Sequence, residues 1–545
     1  WPAQAPWDFP PPAFDLSDHT FARITPGTTE APTDNAVPRR LPEGDWLHQP
    51  GWVRLRRAGA GARTSSGRVL VVLTATPSGP EPWRAFEPGH TRVIRVSAAD
   101  AFARLAEDRY EVDPADPASI RELLDALRPV ARGGVDWLHA LPLSVEGAVD
   151  ERTLARARWA CLDTSAALLR ALAEAPGSPD VRVWWVSYGA QPVEGPVRRP
   201  ELGLLAGADE VVRQETGVTG RWLDLPGSDP AGWAAVLPMI LAEADAPAVL
   251  PRRLALRDGY WWHQTVQPVG APAAYDSAQG LPAGGPGAAE APGVQLILGG
   301  TGGVGAGVAS WLLERTDCRV VLLARRARLP ETLARWADRV DLVEGDLAEE
   351  PSDVLLTRLA PHLPRLRGIV HAAGTAAGGL IVRRDARAMR HAMAAKLHGA
   401  LLMERLIADH RPAYAAYCSS MATLFGGLGQ FDYAAANGVL DGFARYRAHD
   451  TETTLRIGID WDVWREVGMA RDTLHADARH QAHVAVGLTV EEGRRVFGHA
   501  LELQLPQLMV STTAVDQAHA FYEPGVSGTS PSPSPSASAS ASASA

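Results

Sequence analysis

Four residues whose types suit carbonyl chemistry stand in a fixed order in the C-terminal part of the chain: Lys396, Ser420, Tyr433 and Asn437. Ser420 lies thirteen residues before Tyr433 and Lys396 thirty-seven before it. Asn437 follows four residues later, one helical turn on and on the same face. Reducing a ketone requires a proton for the oxygen, a group that polarises the carbonyl, and preorganisation of both. A phenol has an ordinary pKa near 10, so a nearby cation is needed to bring a tyrosine acid toward working pH. Matched to these needs, Tyr433 would donate the proton, Lys396 would lower its pKa, Ser420 would hydrogen-bond the carbonyl oxygen and Asn437 would orient Lys396, directly or through a water. Each residue alone reads as packing, solvation or a helix cap; the ordered set reads as chemistry.

A hydride source is read upstream. Val294-Gln295-Leu296-Ile297-Leu298 has the composition of a buried strand, and Gly299-Gly300-Thr301-Gly302-Gly303-Val304-Gly305 follows it. Glycines allow a tight turn and close backbone approach to a diphosphate, and the next helix, from about Gly305 to Arg315, offers free N–H groups and a positive dipole end. The next strand, Arg319 to Leu323, runs into Ala324-Arg325-Arg326. An acidic residue here would hold ribose hydroxyls; two arginines suit a 2′-phosphate, which favours NADPH over NADH. Asp346-Leu347 could border the adenine, and Ala372-Ala373-Gly374, after the strand ending at His371, leave room for the middle of the cofactor. His371, His391 and His398 lack a second ligand or an orienting carboxylate at useful spacing and are given structural roles.

The elements that must position these residues repeat along the chain. Val69–Leu73, Val135–Ala140 and Val181–Val186 are strand candidates, and Leu154–Ala173 has helical spacing between the last two. Strand, helix, strand with β-branched cores predicts parallel βαβ units. After the first of these strands stands Thr74-Ala75-Thr76-Pro77, which has no glycine and would obstruct a pyrophosphate. The expected fold is α/β: a degenerate Rossmann-like structural half followed by a doubly wound catalytic half. The boundaries read as a Pro-rich linker over 1–44, a structural subdomain over 45–265, a Gly/Ala/Pro-rich linker over 266–293, an NADPH-binding catalytic subdomain over 294–524 and a low-complexity Ser/Pro/Ala tail over 525–545.

Bulk properties set outer limits. The 545 residues exceed one ordinary core, and 46% hydrophobic with 21% charged residues is globular composition. A net charge of −10 disfavours nucleic acid as a partner. Three scattered cysteines offer no disulfide framework or zinc spacing, so a reducing cytoplasm is expected. No apolar run reaches the ~18 residues of a membrane span. The start, Trp1-Pro2-Ala3, lacks an initiator Met and a signal pattern, and reads as an excised or processed chain.

From about residue 45 to 515 the chain resembles the ketoreductase domains of type I modular polyketide synthases, within the short-chain dehydrogenase/reductase superfamily. The motifs that carry the resemblance are Gly299–Gly305, Ala324-Arg325-Arg326, His371–Gly374, Lys396-Leu397-His398-Gly399-Ala400, Ser419-Ser420 and Tyr433 through Asn437. Trp461-Asp462-Val463-Trp464 with Val467-Gly468-Met469-Ala470 resembles the segment leading into the family's active-site lid, and Leu254–Gly259 the end of its structural half. The family exchanges the Lys and Asn positions of the wider superfamily, which is what assigns Lys to position 396. Leu298 departs from the usual Thr before the glycines. The resemblance implies a truncated, cofactor-free first half. It also implies reduction of a β-ketoacyl thioester, carried on an acyl carrier protein's phosphopantetheine arm, to the β-hydroxyacyl thioester, with other synthase domains as partners. Ala376-Ala377-Gly378 replaces the Leu-Asp-Asp triplet of B-type members. Phe425 stands where A-type members carry Trp, and Gln430 fits the family, so Phe425, Gln430, Ala377 and Met469 are the stereocontrol candidates and A-type is expected. Two other functions remain in view: a reductase-inactive structural domain of a synthase, and a free-standing dehydrogenase of small alcohols. Retention of the tyrosine and glycines weighs against the first; the structural half and flanking linkers weigh against the second.

Overall fold

Apolar runs bounded by turn residues become strands buried on both faces, as a parallel sheet covered by helices requires: Val69–Thr74 and Val294–Leu298 have all residues but one buried. The computed structural model describes residues 38–55, 67–77, 81–174, 179–229, 237–243, 250–270, 293–375, 378–447, 453–468 and 478–522. Most of the linkers expected over 1–44 and 266–293, the tail over 525–545, and the stereocontrol candidates Ala377 and Met469 lie outside them.

The first half contributes β1 (Leu47–Arg54), β2 (Val69–Thr74), β3 (Arg92–Ala98), β4 (Ala103–Arg104), β5 (Arg109–Val112), β6 (Val135–His139), β7 (Val181–Tyr188), β8 (Thr219–Leu225), β9 (Arg253–Arg257) and β10 (Tyr260–Pro268). The second contributes β11 (Val294–Leu298), β12 (Arg319–Ala324), β13 (Val340–Glu344), β14 (Leu366–His371), β15 (Tyr414–Ser420), β16 (Leu455–Trp461) and β17 (Gln507–Val510). In the second half the order across the sheet is β13-β12-β11-β14-β15-β16-β17, all parallel. The first half repeats it as β5-β3-β2-β6-β7-β8-β9, again all parallel. Both are doubly wound sheets whose ligand crevice lies at the C-terminal strand ends. The first half departs from the second at its opening crossover. Between β2 and β3 stands the 3₁₀ segment Glu81–Gly89, where the second half places the 13-residue helix Gly303–Arg315.

The halves join edge to edge. β9 pairs antiparallel with β10, β10 with β1, and β1 with β17, giving one 17-stranded sheet. β10 runs to Pro268, past the expected boundary at 265, because its last residues complete the ladder to His48 and Gln49. The chain before β1 is held by the second half: Leu41 N–H donates to Thr512 O, and Glu43 pairs with Arg495.

The second contact between halves is a helix crossing. Phe431–Ala444 packs on the segment Pro200–Asp209 through small residues. A Cβ on Gly203 would stand 2.3 Å from the Gly438 carbonyl oxygen, and one on Gly438 the same distance from that of Gly203. This approach seats the helix that carries Tyr433.

Candidate active site

Ser420 ends β15 beside Trp461 of β16, and is buried at the carboxyl edge of the sheet. Its hydroxyl accepts from Ala422 N–H at 3.2 Å. The chain then loops through residues 421–430 and enters the helix Phe431–Ala444, placing Tyr433 in its first turn and Asn437 one turn later. Burial raises the pKa of the Tyr433 phenol; hydrogen bonding from Ser420 and Asn437 pulls it back down in part. The structure thus brings Ser420, Tyr433 and Asn437 to one point.

Lys396 sits in the middle of the helix Ala386–His410, whose N-terminus is capped by Asp385. Its ammonium is buried and donates to the carbonyl of Cys418 at 3.0 Å, two residues before Ser420. Burial lowers its pKa to about 8, against the upward pull of Cys418 and Asp441. The ammonium's hydrogen bond goes to the Cys418 carbonyl and not to the Tyr433 phenol. Asn437 Nδ2 donates to the Tyr433 carbonyl at 2.9 Å, while its Oδ1 is buried without a donor. That acceptor suits a water or the Lys396 ammonium.

The motif reading passed over two carboxylates beneath this set. Asp441 lies one turn beyond Asn437, and Asp460 lies on β16 in register with Ser419. Burial and the neighbouring Asp441 push Asp460 far up; Asp441 is raised by burial and partly relieved by bonds from Asp460, Ser419 and Thr423. A protonated Asp460 donating to Asp441 satisfies both directions, since two adjacent buried carboxyls cannot both ionise. Asp460 Oδ2 also accepts from Gln507 Nε2 at 2.8 Å. The first half has the same register, Ser187 opposite Asp224, but Tyr188 occupies the place of Ser420. A helical Asp reads as solvated in sequence, and no local signal marks this one.

Gly299 adopts φ +78°, and a Cβ there would lie 2.5 Å from Ala373 Cα, so the turn and the Ala372–Gly374 segment touch backbone to backbone. The helix beyond begins at N-cap Gly302, with no side chain capping its first-turn N–H groups. Arg325 and Arg326 are exposed at the end of β12 and make no ion pair among the described residues. Asp346 caps its own turn, accepting from Ala348 N–H at 2.8 Å, and the Leu347 carbonyl bonds His398 at 3.1 Å. His371 is buried against the Lys396 carbonyl at 2.9 Å, and burial lowers its pKa to about 3, which suits the structural role. His391 lies exposed beside Glu349.

Phe425 is buried in the loop between Ser420 and Tyr433, with its ring against His519 and Tyr522 of the C-terminal helix Val515–Tyr522. Tyr522 is close enough to Tyr433 for the two phenols to raise the cost of ionisation at Tyr522. Gln430 is the N-cap residue of the Tyr433 helix, and its side-chain amide folds over Gly427.

Residues 293–466 match the family model described as "KR domain". "Polyketide synthase PksN" of Bacillus subtilis (strain 168) is 29% identical over 230 residues, which is 40% of this chain and 4% of that protein. "Polyketide synthase GfsA" of Streptomyces halstedii is 28% identical over 476 residues, 81% of this chain and 6% of that one. The chain thus spans a small fraction of the curated relatives it matches. Among solved structures, the "N-terminal ketoreductase from macrolactin assembly line" aligns with a TM-score of 0.70 at 18% identity, covering 88% of this chain and 94% of that one; this likeness speaks to the fold. No helix among the described residues is long and apolar enough to cross a membrane, and the three cysteines are buried and free.

Proposed function

We propose that this chain, whose residues 293–466 match the "KR domain" family model, reduces a β-ketoacyl thioester, presented on an acyl carrier protein, to the β-hydroxyacyl thioester with NADPH. The observation that carries this reading is the placement of Ser420 at the carboxyl end of β15 and of Tyr433 and Asn437 in the first two turns of the helix that follows, two strands across the same sheet edge from an uncapped glycine turn. The turn fits a dinucleotide: Gly299 approaches Ala373 too closely for any Cβ, and the first-turn N–H groups beyond Gly302 are free for a diphosphate. Thr301, Gly303, Val304 and Gly305 would flank that diphosphate, Arg325 and Arg326 the 2′-phosphate, Asp346 and Leu347 the adenine, and Ala372–Gly374 the central part.

When bound, NADPH supplies the hydride. The chain's own residues handle the oxygen. Ser420 Oγ donates to the carbonyl oxygen as negative charge develops, and Tyr433 delivers the proton that turns the alkoxide into the hydroxyl. Lys396 keeps a positive charge beneath the pair and is oriented by the Cys418 carbonyl and the acidic partner Asp441. Asn437 Oδ1 holds the water or ammonium through which the phenol recovers its proton.

The division into a structural subdomain, a linker and a catalytic subdomain is supported by the repeated strand order and by Tyr188 standing in place of the catalytic serine. A-type stereochemistry is supported by the absent acidic triplet and by an aromatic residue, Phe425, buried in the loop that joins Ser420 to Tyr433. The partners on this reading are the acyl carrier protein and neighbouring synthase domains. The competing reading is a structural domain without reductase activity. Incubation with NADPH and a 2-methyl-3-ketoacyl thioester, followed by chiral analysis, separates the two: stoichiometric cofactor oxidation and one dominant diastereomer support reduction, and no oxidation supports the alternative.

A further inference from the structure

The loop from residue 421 to 430 connects the two reacting side chains, Ser420 and Tyr433; its first part is the helical turn Ala422–Phe425, which pairs its own amides. Beyond that turn, the first half supplies the partners of the Gly427 and Gly429 amides. On the short helix Val211–Thr216, Gln214 Nε2 donates to the Phe425 carbonyl at 2.7 Å, and Gln214 Oε1 accepts from Gly427 N–H at 2.6 Å. The adjacent Glu215 spreads its carboxylate over two separate segments. Oε1 accepts from Gly429 N–H at 2.9 Å, and Oε2 from Ile381 N–H at 2.6 Å. Ile381 belongs to the stretch that follows Ala372–Gly374 and leads to the Lys396 helix. The two segments also touch directly, Gly379 N–H donating to the Gly429 carbonyl at 3.2 Å. Gly426, Gly427 and Gly429 all have positive φ, so the stretch 426–429 has little conformational preference of its own. Arg253 of the first half adds a bond to the Thr423 carbonyl at 2.8 Å.

We propose that Gln214 and Glu215 are positioning residues for the reduction: they hold the 421–430 loop against the 378–384 segment, and so set both the approach of Ser420 to Tyr433 and the face on which a branched substrate is received. The inference rests on the reading of Tyr433 as the proton donor. On this account the first half has a share in stereochemical outcome beyond supporting the sheet. Neither residue touches substrate or cofactor.

The test uses the full chain with NADPH and a 2-methyl-3-ketoacyl thioester. It compares wild type with Glu215→Ala, Glu215→Gln and Gln214→Leu. Four quantities are read: kcat, KM, the diastereomer ratio and NADPH affinity by fluorescence titration. Loosening a loop that spaces two reacting groups should lower kcat by roughly 10- to 100-fold and raise the minor diastereomer. NADPH affinity should stay within about twofold, since the glycine turn is not in contact with the clamp; a merely structural role would move affinity and kcat together. Glu215→Gln keeps one acceptor oxygen and should fall between wild type and Glu215→Ala, and it decides the matter if the alanine variant does not fold. Unchanged kcat and an unchanged product ratio in Glu215→Gln and Gln214→Leu would overturn the inference alone. Failure of the wild type to oxidise NADPH with the thioester would overturn the proposed function, and this inference with it.

Discussion

Lys396 can be tested without any substrate, through the stability cost of its burial. Its folded pKa is about 8 against an ordinary 10.5, lowered by burial. Below pH 8 both folded and unfolded chains carry the proton, and the folded state bears the full cost of a buried ammonium. Between pH 8 and 10.5 the folded protein releases the proton while the unfolded chain keeps it, so stability rises with pH in that window. A displacement of two to three units corresponds to about 3 kcal/mol, as an upper figure. Lys396→Met removes this titration and also strips the Cys418 carbonyl of its donor, a loss of ~1–3 kcal/mol that does not depend on pH. The absolute difference at pH 7 is therefore a near cancellation, and the pH dependence is the informative quantity. Urea unfolding of both proteins should be followed at intervals from pH 7 to 10.5, each pair at one pH so that other titrations subtract. The wild type should gain on the variant by up to ~3 kcal/mol across the window. Parallel curves would refute the placement of Lys396 as a buried, strained ammonium.

Three further outcomes follow. Arg325→Ala combined with Arg326→Ala should raise the KM for NADPH by ~10- to 100-fold through lost charge-assisted bonds, with NADH almost unaffected; an equal effect on both cofactors would remove the 2′-phosphate assignment. Gly438→Ala should lower stability by ~1–3 kcal/mol, because its methyl would stand 2.3 Å from the Gly203 carbonyl oxygen, and an unchanged melting temperature would show that the crossing can relax. Asp460→Asn should leave the fold and much of the activity in place, because an amide can still donate to Asp441; a loss of activity as large as that from replacing Tyr433 would make the acid pair part of the reaction.

What the sequence made legible was local. β11 and β12 are apolar runs stopped by glycines or arginines, and the strand ends Ser420 and His371 fall at the expected edge because side-chain type changes there. The Ser420, Tyr433, Asn437 set could be read because its members lie within one strand-loop-helix unit, where spacing fixes geometry. Lys396 was legible as the cation of the set, but its burial and its partner, the Cys418 carbonyl, were not, since backbone acceptors have no residue signature. The same reason hides Glu215, whose partners are the amides of Ile381 and Gly429, 166 and 214 residues away. The first half's opening crossover was hidden for another reason: its two strands are joined by the short 3₁₀ segment Glu81–Gly89 rather than by a full α-helix.

The account stands most directly on Tyr433→Phe assayed beside wild type with NADPH and a β-ketoacyl thioester. Wild type should oxidise one NADPH per hydroxyacyl product. The phenylalanine variant should bind NADPH with nearly the same affinity and turn over ~10²- to 10⁴-fold more slowly, the share of a positioned proton donor. Turnover at the wild-type rate in that variant would contradict the assignment of the proton to Tyr433 and the site built around it.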